Sequence, residues 1–178
     1  MRLFTAIDMP RDVQSQLSAL VDRLRPAAKL SWSTVEKLHI TTKFIGEWPE
    51  ERLDEMKRAL GKVSAAGAIR IAVRGLGWFP NSRNPRVLWA GVEGGEDLKS
   101  LARATEQAVH AIGVPLEDRE YIPHLTLARI RERGRLDDLV KTVTSLESTD
   151  FGAFEARAFY LYLSRAGQYS KLGEFAIT

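Results

Sequence analysis

A three-residue phrase occurs twice in this chain and constrains its fold more than anything else in it. His39-Ile40-Thr41 recurs as His124-Leu125-Thr126, which uses two of the chain's three histidines. Each phrase falls in a stretch that alternates as a strand does. A helical pattern precedes each, and another follows each. Two half-chains of the same order would bring their equivalent strands side by side about a pseudo-twofold axis.

The pattern around the repeat predicts the remaining elements. A first helix starts at Pro10 and carries Val13, Leu17, Leu20, Val21 and Leu24 in one stripe, with Asp8 available as a cap and Pro26 as its end. A strand covers Leu38 to Ile45. A second helix begins near Pro49, carries Leu53, Met56, Leu60 and Val63, and stops before Gly67. Strands over Ile69 to Arg74 and Arg86 to Val92 flank a loop rich in glycine and proline, Gly75 to Pro85. A third helix over Glu96 to Ile112, a strand over His124 to Ile130, a fourth helix over Leu136 to Leu146 and two strands, Phe154 to Ser164 and Tyr169 to Ile177, complete the chain. Interspersed helices and adjacent strand pairs predict an α+β fold with antiparallel sheets rather than a parallel doubly wound one. No linker divides residues 1–178 into separate domains.

Composition removes several classes of function. No apolar run approaches the roughly 18 residues of a membrane span. The N-terminal segment turns acidic too soon for a signal peptide and reads as a first strand. The absence of cysteine excludes disulfides and thiolate zinc sites, and makes a reducing cytoplasm the expected compartment. A formal charge of +3 fits a phosphate-bearing partner without demanding one. With no exposed heptad pattern, the expected state is a monomer.

Side chains two apart on a strand share a face. His39 and Thr41 therefore look one way, with Lys43 on the same side, while Leu38, Ile40, Thr42 and Phe44 look the other. Likewise His124, Thr126 and Ala128 share a face, and Leu125 and Leu127 meet the core. Parity sends Arg129 to the side away from His124 unless a bulge intervenes. Two imidazoles and two hydroxyls converging on one groove suit phosphodiester chemistry. Imidazole titrates near pH 6.5, so one ring can protonate the leaving oxygen while the other activates water. The hydroxyls of Thr41 and Thr126 can donate to non-bridging phosphate oxygens, where charge builds. The scheme needs no metal and no other cofactor, and no carboxylate cluster stands near either histidine in the sequence. His110, on the polar side of the third helix, reads as a solvated residue.

At these residues the chain resembles the 2H phosphoesterase superfamily, and within it the RNA 2′,3′-cyclic phosphodiesterases, also called 2′-5′ RNA ligases or the LigT/ThpR group. The likeness runs from Arg2-Leu3-Phe4-Thr5-Ala6-Ile7-Asp8-Met9-Pro10 through Ser31-Trp32, Leu38 to Glu47, Phe79-Pro80 and Pro85 to Val92, and ends in Pro123 to Arg129. The resemblance implies a bilobal, duplicated fold whose two antiparallel sheets line a central cleft, with the helices outside. It implies hydrolysis of an RNA 2′,3′-cyclic phosphate to a 2′-phosphomonoester, with His39 as proton donor to the leaving 3′ oxygen and His124 as proton acceptor from water. Thr41 and Thr126 would hold the phosphate. The implied partners are RNA ends bearing the cyclic phosphate, and the ligase label adds the joining of tRNA halves through a 2′-5′ bond. Arg129 matches the arginine that often follows the second motif, where charge neutralisation competes with a rim or structural role. Lys43 is a candidate to guide a phosphate. Trp32, Phe79 and Tyr121 are candidates to stack on a nucleobase or, equally, to pack between lobes. Three alternatives stay open: a small substrate such as ADP-ribose cyclic phosphate, a non-catalytic RNA-binding module, and a metal-dependent hydrolase with carboxylates near the histidines.

Overall fold

The computed structural model describes residues 1–131 and 134–177. Its elements run β1 (Arg2–Ile7), α1 (Arg11–Leu24), β2 (Ser31–Trp32), β3 (Ile40–Glu47), α2 (Leu53–Leu60), β4 (Ile69–Phe79), β5 (Val87–Glu93), α3 (Gly95–His110), β6 (His124–Arg129), α4 (Asp137–Thr144), β7 (Asp150–Ala156), β8 (Ala158–Arg165) and β9 (Gln168–Ala176). The strands form two antiparallel sheets, ordered β3-β1-β8-β9 and β2-β6-β5-β4-β7. This is the α+β architecture that the sequence predicts.

The duplication is visible in the topology. The run β1-α1-β3-α2 corresponds to β5-α3-β6-α4, and each half then lends strands to the other. After α2, β4 crosses to pair with β5; after α4, β8 crosses to pair with β1. With β2 set aside, β3, β1, β8 and β9 match β6, β5, β4 and β7 in order. The exchange also corrects one expectation. The run Phe154 to Ser164 is not one strand but the end of β7, paired with β4, and most of β8, paired with β1, and the chain changes sheets at Arg157. Hydrophobic alternation continues across such a crossing and cannot reveal it.

Helices cover one face of each sheet. α1 packs with α4 and against β7, and α3 packs with α2 and against β3. The α1 stripe Val13, Leu17, Leu20, Val21 and Leu24 is buried as its spacing requires, each side chain contributing about 1.5–3 kcal/mol by leaving water. Gly152, at φ +115°, sits where an added Cβ would meet Val13 Cγ2 at 3.2 Å, so β7 can lie close under α1 only without a side chain there. β4 is longer than predicted. Gly75, at φ +79°, makes a bulge between Val73 and Leu76 rather than a loop, and the strand resumes to Phe79. Asp8 does not cap α1; Pro10 stands at that position with no side-chain bond. No helix among the described residues is long and apolar enough to cross a membrane.

Candidate active site

Each His-x-Thr phrase is followed by the same irregularity. On β3, Thr41 pairs with Ala6 and Lys43 with Thr5, so Thr42 is an extra residue. On β6, Thr126 pairs with Trp89 and Ala128 with Leu88, so Leu127 is extra. One inserted residue reverses the facing of everything after it. Four expectations from simple alternation fail for this one reason. Lys43 does not share the His39 face, Phe44 is not inside but 71% exposed, and Ala128 is buried in the core. Arg129, opposite Val87, lies on the same side as Thr126 and Trp89. Phe44, opposite Phe4, holds the equivalent place in the first half.

Lys43 is a tie between β3 and α3. Its ammonium, 7% exposed, donates to Glu106 Oε1 at 2.9 Å and to the Pro115 carbonyl at 3.2 Å. Burial pushes the Glu106 carboxyl up, but the bonds from Lys43 and the Glu117 N–H outweigh it and hold the group below its usual range. Lys43→Met should lower stability by about 1.5–3 kcal/mol, the cost of removing a charged hydrogen-bond partner, and leave KM for a phosphodiester unchanged. A raised KM at unchanged melting temperature would return Lys43 to the binding surface.

The two histidines are held in the same way. His39 Nδ1 lies 2.9 Å from the Lys37 carbonyl and His124 Nδ1 lies 2.8 Å from the Ile122 carbonyl, in each case two residues upstream. A carbonyl only accepts, so each Nδ1 carries the proton and each Nε2 is the atom left for chemistry. Both rings keep some solvent exposure. His39 directly precedes β3, after a short 3-10 turn over Val35–Lys37.

Their surroundings differ. His39 is packed by Tyr162 at 4.6 Å between ring centroids, Tyr169 at 5.9 Å and Phe4 at 6.5 Å. Its Nε2 stands 3.6 Å from Asp8 Oδ1, within ion-pair range but too long for a hydrogen bond. Asp8 is in turn fixed by Tyr162 Oη, which donates to Oδ1 at 2.5 Å, and by Lys171 Nζ, which donates to Oδ2 at 2.7 Å. Burial pushes the His39 imidazole below its ordinary value. The Asp8 carboxylate and the Lys37 carbonyl oppose that fall, and Lys171 adds to it. Burial also raises the Tyr162 phenol, helped by Asp8, so it stays a donor. Around His124 the packing is lighter, with Phe79 edge-on at 5.5 Å and Phe79 in turn against Trp89 at 5.4 Å. Trp89 lies over Gly77, where an added Cβ would fall 2.0 Å from the indole.

Asp8, Tyr162 and Lys171 are site residues that sequence reasoning missed. They lie far from His39 along the chain and meet it only because β8 and β9 join the sheet of β1. An acidic residue at the end of a first strand was the one available signal, and its nearness to Pro10 made it read as a cap. Asp8 brings a carboxylate to His39 that the sequence did not signal. Among the described residues, no group of three or more His, Cys, Asp or Glu is placed to hold a metal ion.

The halves meet at the motifs. Tyr121 Oη, on the segment before β6, donates to the Thr41 carbonyl at 2.9 Å, and β3 and β6 are near neighbours despite belonging to different sheets. Tyr121 thus clasps the two motif strands, with its ring against the core and its phenol raised by burial. Trp32 pairs with Ala128, and its indole N–H donates to the Ala28 carbonyl at 3.2 Å, so it packs on the side of the sheet away from His124. Of the three aromatics singled out in the sequence, only Phe79 touches a motif histidine.

Comparison with known proteins agrees along the whole length. A family model described as LigT like Phosphoesterase matches residues 7–89 and 92–172. The RNA 2′,3′-cyclic phosphodiesterase of Methanocaldococcus jannaschii is 33% identical over 164 residues, 92% of this chain and 91% of the relative. The protein of the same name from Aeropyrum pernix is 36% identical over 127 residues, 71% of this chain and 72% of its own. A crystal structure from Thermus thermophilus aligns with TM-score 0.79 at 30% identity, covering 99% of this chain and 98% of that one. Escherichia coli LigT complexed with 3′-AMP aligns with TM-score 0.79 over the same shares at 23% identity, a likeness of fold.

Proposed function

The chain belongs to the LigT-like phosphoesterase family, and on that premise we propose that it is an RNA 2′,3′-cyclic phosphodiesterase working by two-histidine acid–base catalysis. The observation that carries this reading is the matched pair of imidazoles, each locked through Nδ1 to the carbonyl two residues upstream. A fixed tautomer at both rings leaves two Nε2 atoms to give and take protons.

In the reaction His124 Nε2 takes a proton from water as the water oxygen attacks phosphorus. His39 Nε2 gives its proton to the 3′ oxygen as the P–O3′ bond breaks, and a 2′-phosphomonoester remains. Asp8 supports the imidazolium form of His39 against burial. The Thr41 and Thr126 hydroxyls donate to the non-bridging oxygens, and Arg129, turned to their side by the Leu127 bulge, offsets the phosphate charge. Phe44 and Phe79 offer aromatic surface for the base of the cyclised nucleotide. A 5′-hydroxyl of a second RNA end in place of water gives a 2′-5′ bond through the same proton transfers, which is the joining of tRNA halves implied by the family's other label.

Turnover of a 2′,3′-cyclic nucleotide in excess EDTA tests the reading. The expected result is full activity and a 2′-phosphate product seen by phosphorus NMR. Loss of activity in chelator would move the chemistry to a metal, and a 3′-phosphate product would exchange the leaving oxygen.

A further inference from the structure

At the far end of β6 lies a cavity of about 510 Å³ whose polar lining is dominated by Arg83, Arg86 and Arg131, with no carboxylate among the described lining residues. Its apolar floor includes Pro85 and Ile130, both buried. Four other arginines of the chain, Arg52, Arg74, Arg103 and Arg157, are engaged by glutamates. Among the described residues none of the three cavity arginines has such a partner. The loop that carries Arg83 is ordered by Asn81, whose Oδ1 accepts from the N–H groups of Arg83 and Asn84 at 3.0 Å each. The Ile130 N–H donates to the Arg86 carbonyl at 2.9 Å and joins the ends of β5 and β6 beside the cavity.

The cavity continues the line of the proposed catalytic groups. His124, Thr126 and Arg129 share one side of β6, and the next residues, Ile130 and Arg131, line the cavity. At about 3.3 Å per residue, the Arg131 backbone lies roughly 23 Å along the strand from that of His124. That is beyond the phosphate being cleaved and within reach of its neighbours on a single strand. Guanidinium groups with no competing carboxylate are suited to phosphate oxygens, which they can bind in pairs.

We propose that this arginine-lined cavity is a subsite for the phosphodiester backbone of a single-stranded RNA, gripping the nucleotides upstream of the cyclised end. The assignment rests on the phosphodiesterase reading and deepens it, since it adds a grip on the RNA backbone away from the phosphate being cleaved.

The test compares kcat/KM for a 2′,3′-cyclic mononucleotide and for a single-stranded oligoribonucleotide ending in a 2′,3′-cyclic phosphate, in the wild type and in the combined variant Arg83→Ala, Arg86→Ala, Arg131→Ala. The expected result is unchanged mononucleotide turnover, which also reports an intact fold, and an oligonucleotide kcat/KM reduced tenfold or more through KM. The slope of log affinity against log salt should become shallower by about 2, three lost contacts on a single strand. Should the triple variant misfold, Arg83→Gln on its exposed loop is expected to give the same effect in smaller measure. Equal oligonucleotide kcat/KM in wild type and variant would overturn the subsite. If the wild type turned over neither substrate, the phosphodiesterase reading would fall by itself. Fluorescence anisotropy with a labelled oligonucleotide ending in a 2′-phosphate then decides the cavity: weaker binding by the variant supports it, and equal binding refutes it.

Discussion

His39→Ala and His124→Ala should each reduce kcat for a 2′,3′-cyclic nucleotide by about 10²–10⁴-fold, the usual contribution of a positioned general acid or base. Each substitution removes a ring whose Nδ1 is spent on a carbonyl and whose Nε2 makes no hydrogen bond within the described residues. The two losses should not multiply in the double variant, because an acid and a base that act in one proton-transfer sequence fail together. His39 also packs against Tyr162, so His39→Ala should cost some stability, while His124→Ala, more lightly packed, should cost less. Melting curves separate that cost from catalysis. Retention of a tenth of wild-type kcat by either folded variant would remove that histidine from the mechanism.

Thr41→Val and Thr126→Val should each reduce kcat by about 10²–10³-fold with little effect on folding, the loss typical of one donor aimed at developing oxyanion charge. Valine keeps the shape and strand preference of threonine and deletes only the hydroxyl. Neither hydroxyl makes a hydrogen bond within the described residues, unlike those of several other threonines. Thr42 shares a buried bond with Thr5 at 2.7 Å, and Thr105, Thr142 and Thr144 each donate to the carbonyl one helical turn back. Thr42→Val is thus the control, expected to change stability and not kcat. A rise in KM at constant kcat for Thr41→Val or Thr126→Val would mean that the hydroxyl holds the ground state and the transition state equally.

Much of this site was legible in the sequence because its central elements are local. His-x-Thr twice, each between helices, fixes two strands, two imidazoles and two hydroxyls without any tertiary information. The places where the reading failed share a different character. A single-residue bulge after Thr41 and after Thr126 is invisible to period-2 patterning, yet it turned Lys43 into the core, brought Phe44 out and put Arg129 beside Thr126. The glycines of β4 signalled a loop because a bulge at Gly75 and a turn use the same positive φ. Asp8, Tyr162 and Lys171 gather at His39 only after strands are exchanged between the halves, a long-range event that no window of sequence contains. Lys43 and Glu106 found each other in the same way, across the gap from β3 to α3.

The roles given to the two imidazoles are tested most directly by the pH dependence of kcat/KM in the wild type beside Asp8→Asn. The Asp8 carboxylate raises the His39 imidazole, so Asp8→Asn lets it fall further. If His39 is the acid, fewer enzyme molecules hold its proton at high pH. On the alkaline side of both imidazoles kcat/KM should then drop tenfold for each pKa unit lost, while on the acid side of both it stays unchanged. The account predicts that pattern on a bell-shaped wild-type profile. An unchanged alkaline side with a raised acid side would make His39 the base, and a profile with no limb in the imidazole range would contradict two-histidine catalysis altogether.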